Sequence, residues 1–261
     1  MTRDTRPQNL QMRTINNHSN KHMKQLRPIF MLLILGSSIL IPDRIHAKAT
    51  PDTIPVSGTT DFIPDGKGGH PAWDKAAWHA LQKIDTTATD YTTKFRILHS
   101  AEGIYVLMQG TDRLVTSPFD DDFEDLYLAD VYEVFLHPDP AFPVYFEYEI
   151  SAKEKELVLI IPNKDGKLMG WQPWKYEGNR KVVKKTSITH SADGMTGWIA
   201  EMFFPYRLLS PLLLQSPTKG TVWNANFCRL DYDSGGMIKW SWSPIRRHFH
   251  EYKVFQSIRF E

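Results

Sequence analysis

The chain of 261 residues contains a single cysteine, Cys228, which excludes an intramolecular disulfide framework and a cysteine-built zinc or iron–sulfur site. It also has almost no net charge. Its 31 Lys and Arg stand against 30 Asp and Glu, a formal +1, so there is no basic field to hold nucleic acid. No P-loop, G-x-G-x-x-G, H-E-x-x-H or G-x-S-x-G motif occurs, which removes the usual signatures of nucleotide binding, zinc proteolysis and α/β-hydrolase chemistry. Long apolar runs are missing too. The run Pro28–Ile41 (PIFMLLILGSSILI) falls short of the ~20 residues a membrane-spanning helix needs.

That run has the flanks of an export signal. Lys21, Lys24 and Arg27 precede it, Pro42 breaks it, and Ala47-Lys48-Ala49 supplies a small-x-small cleavage pattern. Residues 1–47 are therefore expected to be a cleaved secretory leader, with Met23 a second possible start that gives a leader of ordinary length. The expected location is the periplasm or outside the cell, with no membrane span in the processed protein. No Cys lies near the end of the run, so a lipoprotein anchor is not expected. Loss of residues 1–47 removes seven basic and two acidic residues from the total of +1, leaving −4.

The rest is rich in aromatics, with 8 Trp, 10 Tyr and 14 Phe in the whole chain. Residues 48–61 read as a polar lead-in and 62–261 as one domain. Strand signals dominate it. Lys94–Ser100 and Gly103–Gly110 form a hairpin pattern around Ala101-Glu102. Val131–Leu136, Tyr145–Ile150, Leu157–Ile161, Lys181–Thr189, Trp198–Phe204, Val222–Tyr232, Ile238–Trp242 and Val254–Phe260 follow. Short helical turns are expected only near Pro71–His79 and Tyr206–Leu214. The fold class is all-β, an antiparallel β-sandwich, whose interior would absorb Trp73, Trp78, Trp198 and Trp223. Buried in such a strand, Cys228 would be an inert small hydrophobe.

Three site chemistries can be weighed on the residues alone. Glu133, Glu147, Glu149 and Glu201 lie in strands, and a glycosidase needs two carboxylates across the sugar bond. Glu147 and Glu149 share a strand face, about 6.6 Å apart at ~3.3 Å per residue, a spacing that a solvated face gives equally well. Asp120, Asp121 and Asp122 could offer oxygens to calcium, and His248 and His250 with Glu251 could hold zinc, although neither has a complete ligand pattern. The third chemistry is sugar binding, in which flat aromatics cover C–H faces and planar polar groups take hydroxyls. Asp125–Glu133, Gly170–Tyr176, Asn226–Asp233 and Trp240–Glu251 interleave such residues, with Trp171 and Trp174 flanking Pro173 as a loop platform.

The order of these segments resembles a known family. Trp73-Asp74-Lys75-Ala76 is followed by Ile104-Tyr105-Val106, Asp130-Val131-Tyr132-Glu133-Val134-Phe135-Leu136 and Tyr145-Phe146-Glu147-Tyr148-Glu149. Trp198-Ile199-Ala200-Glu201 with Phe204-Pro205, Trp223-Asn224-Ala225-Asn226-Phe227 and Phe255-Gln256-Ser257-Ile258 complete it. Over residues 62–260 the chain is similar to the family 9 carbohydrate-binding modules. The resemblance implies a non-catalytic sugar-binding sandwich, associated with polysaccharide catabolism and often carrying calcium. Its clamp positions match Tyr127 and Phe249, where the sugar-binding members carry Trp, and its sugar-contacting Glu matches Glu133. Cys228 stands at a polar family position, and Gln256 where a Gly is usual. The expected site is then Tyr127, Glu133, Glu149, Arg229 and Phe249, with Trp171 and Trp174, taking a mono-, oligo- or polysaccharide. The expected structural calcium lies at Asp120–Asp122. The alternatives are an interaction sandwich that has lost the site, or a glycoside hydrolase using Glu133 with Glu147 or Glu149.

Overall fold

In the computed structural model the described residues are 53–261, except 87, 192–193, 211, 214 and 234–235; the expected leader lies outside them. Among the described residues fifteen strands run in chain order. The first eight are β1 (Thr53–Gly58), β2 (His79–Ala80), β3 (Gln82–Lys83), β4 (Thr93–His99), β5 (Gly103–Asp112), β6 (Val131–His137), β7 (Val144–Ser151) and β8 (Glu156–Lys164). Then come β9 (Lys167–Leu168), β10 (Gln172–Pro173), β11 (Val183–His190), β12 (Thr196–Pro205), β13 (Val222–Asp233), β14 (Gly236–Ser241) and β15 (Gln256–Phe260). Helical structure among the described residues is confined to short 3₁₀ turns, including Pro71–Lys75 and Tyr206–Leu209 at the two expected places. None is long or apolar enough to cross a membrane.

The strands form two layers. One has the order β10-β8-β7-β6-β13-β15-β1, with β14 and β3 continuing from β13; the other runs β1-β4-β5-β12-β11. Pairing is antiparallel except at β1, which runs parallel to β15 and to β4. Residues 53–58, expected to be a polar lead-in, are thus a strand that passes from one layer to the other. Its first four residues pair with Ser257–Phe260 and its last two with Leu98 and His99.

Period-two alternation explains the layering. Tyr132, Val134 and Leu136 of β6, Phe146, Tyr148 and Ile150 of β7, and Val158 of β8 all turn inward. They meet Trp198, Ala200, Met202 and Phe204 of β12 and Ile97 and Val106 of the second layer. Tyr132 stacks on Trp198 with ring centroids 3.8 Å apart, and Phe95 on Phe227 at 3.8 Å. Each fully buried side chain of this size contributes about 1.5–3 kcal/mol, so this interior is what holds the layers together.

The odd-numbered residues of β6 to β8 point the other way. Val131, Phe135, Tyr145, Leu157, Leu159 and Ile161 form a second apolar cluster on the outer face of the first layer. The segment between β14 and β15 covers it, contributing Ile245, Phe249 and Phe255. This cover is anchored at both ends. The amide oxygen of Asn226 accepts the Ser243 N–H at 2.8 Å and the Ser241 hydroxyl at 3.0 Å. Gln256 donates its side-chain amide to the Trp242 carbonyl at 2.6 Å. Within the cover, Oε1 of Glu251 accepts the N–H groups of Arg246, Arg247 and His248. Gln256 and Glu251 are therefore positioning residues for the loop that carries Phe249.

Candidate functional site

Under one side of this cover lies a cavity of about 340 Å³. Its floor is a patch of the outer face of the first layer. Across the sheet, Cys228, Glu133, Glu149 and Leu157 sit side by side in register, and Phe135, Glu147 and Leu159 form the next row. Three carboxyls thus share one face, with apolar neighbours on both flanks. Directly opposed residues have Cβ atoms about 4.5–5.5 Å apart, so Glu133 and Glu149 adjoin. The side chains are nearly inaccessible: Glu133 and Glu147 are 3% exposed and Glu149 2%. The solvated-face reading of Glu147 and Glu149 is thereby corrected, because the loop that covers them comes from a hundred residues further along the chain.

Burial has an electrostatic consequence. Loss of water pushes the Glu147 carboxyl up to about 8. The same burial, together with the neighbouring glutamates, pushes Glu133 and Glu149 well above the ordinary carboxylate range. Oε2 of Glu147 and Oε2 of Glu149 have no hydrogen-bond partner. Other buried acids are supplied with donors. Glu201 accepts the N–H groups of Asp65 and Gly66 and the Trp73 indole N–H at 2.8 Å. Glu156 accepts the hydroxyls of Tyr148 and Tyr176 and pairs with Lys184.

Aromatic walls stand over this floor. Tyr127 sits in the 3₁₀ turn Leu126–Leu128. Asp130 fixes that turn by accepting the N–H groups of Thr116 and Tyr232. The Tyr232 hydroxyl holds the Tyr127 carbonyl at 2.7 Å. Phe249 comes from the cover and is 7% exposed, edge-on to Phe135. Trp171 precedes β10, whose pairing with Leu159 and Ile160 sets it at the sheet edge; it is 58% exposed. Leu159, Leu230 and Met237 add apolar surface, and Lys239, Arg247, His248 and His250 complete the lining.

Five of the seven expected sugar-contacting residues therefore meet in one cavity: Tyr127, Glu133, Glu149, Phe249 and Trp171. Arg229 does not join them. It alternates with Cys228 and Leu230, so it points between the layers, where it is fully buried and paired with Asp112 and Asp231. It also donates to the Thr111 carbonyl at 2.7 Å. Trp174 also lies elsewhere, packed against the interior with its indole N–H on the Leu208 carbonyl. Glu147 joins the site instead, as the same-face neighbour of Glu149, and strand alternation alone could have found it.

In the loop of the calcium expectation, one carboxylate oxygen each of Asp120, Asp122 and Glu124 is engaged by the chain. Asp120 pairs with Lys153, Asp122 accepts the Glu156 N–H, and Glu124 accepts the N–H groups of Asp120 and Asp121. Asp120, Asp121 and Asp122 do not converge into a ligand set. Among the described residues, the acids that do gather are Asp112, Asp231 and Asp233, whose ligand atoms lie within 4.8 Å of one another. The Arg229 guanidinium already pairs with Asp112 and Asp231, and the Tyr91 hydroxyl donates to Asp233. Cys228 is buried, as expected, with its thiol held well above the ordinary range by the apolar surroundings.

An all-β sandwich with an aromatic-walled, acid-floored cavity on one outer face defines a module of the carbohydrate-binding type. The sequence matches the family model described as "Carbohydrate family 9 binding domain-like" over residues 63–247, and the chain belongs to that family. No curated protein matches it. Similar solved structures include a candidate carbohydrate-binding protein of Bacteroides uniformis, 18% identical, with a TM-score of 0.65. That match covers 81% of this chain and 100% of the other. A family 9 carbohydrate-binding module of Caldicellulosiruptor kristjanssonii in complex with glucose is 16% identical, with a TM-score of 0.57 over 80% of this chain and 96% of the other. Its cellotriose complex is 17% identical, again at 0.57, over 80% and 94%.

Proposed function

We propose that this protein is an exported, non-catalytic carbohydrate-binding protein serving polysaccharide catabolism, with the sugar seated in the outer-face cavity. Tyr127 and Phe249 cover the C–H faces of the ring, Trp171 extends the platform outward, and Glu133 and Glu149 accept hydroxyl hydrogen bonds. The carrying observation is that three aromatics and the acidic floor line one cavity of about 340 Å³. The solved structures in complex with glucose and cellotriose share the fold and support the same ligand class. Export rests on the basic, apolar and small-x-small pattern of residues 1–47.

Calorimetric titration with glucose, cellotriose and a wide panel of mono- and oligosaccharides tests this reading. Saturable binding to at least one, weakened in Tyr127→Ala, is the expected result. Absence of binding across the panel overturns it. A glycoside hydrolase is the second reading, favoured by the adjacency of Glu133 and Glu149, which suits the ~5–5.5 Å carboxyl separation of retaining enzymes. New reducing ends from a polysaccharide, lost in Glu133→Gln, would move the assignment there.

A further inference from the structure

The floor of the cavity is unusual for a site that takes neutral hydroxyls. No Asn or Gln lines it, and its guanidinium, Arg247, is exposed at the mouth. The deep polar groups are acceptors once ionised, and two of their oxygens lack a donor, Oε2 of Glu147 and Oε2 of Glu149, on residues 3% and 2% exposed. Buried carboxylates are stable when a cation accompanies them.

None of the surrounding groups supplies that cation. His250 Nδ1 lies 3.8 Å from Glu147, but burial lowers the imidazole to about 4, so it is neutral at neutral pH; its Nδ1 also contacts the Tyr145 hydroxyl at 2.9 Å. Among the described residues no ion pair joins Lys239 from β14, or Arg247 or His248 from the cover, to the three glutamates. Asp125, beside Tyr127, adds negative charge to Glu149. Cys228 from β13 and the phenols of Tyr127, Tyr145 and Tyr232 complete the titratable groups around the floor, and burial pushes each of them up. A metal ion does not resolve the deficit, because these carboxyls do not gather into a ligand set as Asp112, Asp231 and Asp233 do. The missing cation must be larger than one ion and must also satisfy aromatic walls.

We propose that the cavity selects an amino sugar, a pyranose whose protonated amine lies on Glu147 and Glu149 while its ring packs on Tyr127 and Phe249. This deepens the sugar-binding reading and rests on it. The ammonium provides up to three N–H donors where the floor has unpartnered acceptors. It also brings the positive charge that lets the buried carboxyls ionise, and Phe249 and Tyr127 offer it π faces. Binding near neutral pH then expels protons from the floor into solvent.

Titration of the protein with glucosamine, glucose, N-acetylglucosamine and propylamine, in two buffers of different ionisation enthalpy at pH 7, tests this. Glucosamine is expected to bind at least about tenfold more tightly than glucose or N-acetylglucosamine, the worth of one charge-assisted hydrogen bond. Its heat is expected to depend on the buffer, reporting proton release, while that of glucose does not. Glu147→Gln and Glu149→Gln, checked for folding by circular dichroism, are expected to cut the preference to about threefold or less. Equal binding of glucose and glucosamine without proton release overturns the amine assignment and leaves the sugar-binding reading intact. Propylamine binding as tightly as glucosamine, with no neutral sugar bound, overturns both.

Discussion

The two faces of the first layer solve the same problem differently. Each buries a cluster of acids, the outer one on the paired strands β6 and β7, the inner one on β13 with Asp112 reaching across from β5 of the second layer. On the inner face Asp112, Asp231 and Asp233 gather around the Arg229 guanidinium and the Tyr91 hydroxyl. On the outer face Glu133, Glu147 and Glu149 share no ion pair with Arg or Lys among the described residues, and two of their oxygens are unpartnered. The inner cluster has a cation built into the chain, although Oδ1 of Asp231 and Nε of Arg229 are themselves unpartnered. The outer one is roofed by a loop and walled by aromatics, and it is completed by something that enters. Burial of like charges alone does not mark a binding site; what separates the two is whether the chain supplies the counter-charge.

Removing the inner cation breaks this contrast most violently. Arg229→Met leaves Asp112 and Asp231 buried without their counter-charge, Asp112 keeping only the Arg113 and Leu114 N–H groups, and is expected to cost about 3–5 kcal/mol in denaturant unfolding. Replacing Arg229, Asp112 and Asp231 together by apolar residues of similar volume is expected to cost far less. A loss as large in the triple variant would mean that packing, not charge, maintains this cluster.

The outer cluster should reveal itself through pH. Glu147 rises from an unfolded value near 4.5 to about 8 in the fold. The stability this contributes is full below 4.5 and is lost as pH rises through 8. His250 has the opposite sign, since it is depressed from 6.5 to about 4 and its contribution is lost only as pH falls through that range. Between pH 6.5 and 8 the unliganded protein is therefore expected to lose on the order of 2 kcal/mol. Thermal melts in this window measure it, and the slope should flatten in Glu147→Gln.

Smaller effects sharpen the distinction. Tyr127→Ala is expected to weaken sugar binding about threefold to tenfold by calorimetry. Because Tyr127 is half-buried, the same change should leave stability within about 1 kcal/mol. Calcium should do least. Millimolar calcium or a chelator is expected to leave the melting temperature unchanged, because Asp120 is held by Lys153, Asp122 by the Glu156 N–H, and Asp112 and Asp231 by Arg229.

Alternation made most of the strands legible. The hairpin around Ala101-Glu102, the β6 and β7 runs and the shared face of Glu147 and Glu149 could all be read from residue order. β1 could not, because TIPVSG is short, contains Pro55 and has its pairing partners far away in sequence. Arg229 shows how a side-chain type can mislead. It suits hydroxyl recognition, yet its neighbours Cys228 and Leu230 alternate with it and take the outer face. The depth of the glutamates was invisible for another reason. Their roof is the β14–β15 segment, held by Asn226, Glu251 and Gln256 through contacts that no local pattern announces.

A crystal structure of the protein with glucosamine or glucose bound tests the central claim most directly. The account expects the pyranose in the outer-face cavity, its ring against Tyr127 and Phe249 and its polar groups on Glu147 and Glu149. A sugar bound elsewhere, with Glu133, Glu147 and Glu149 untouched, would contradict it.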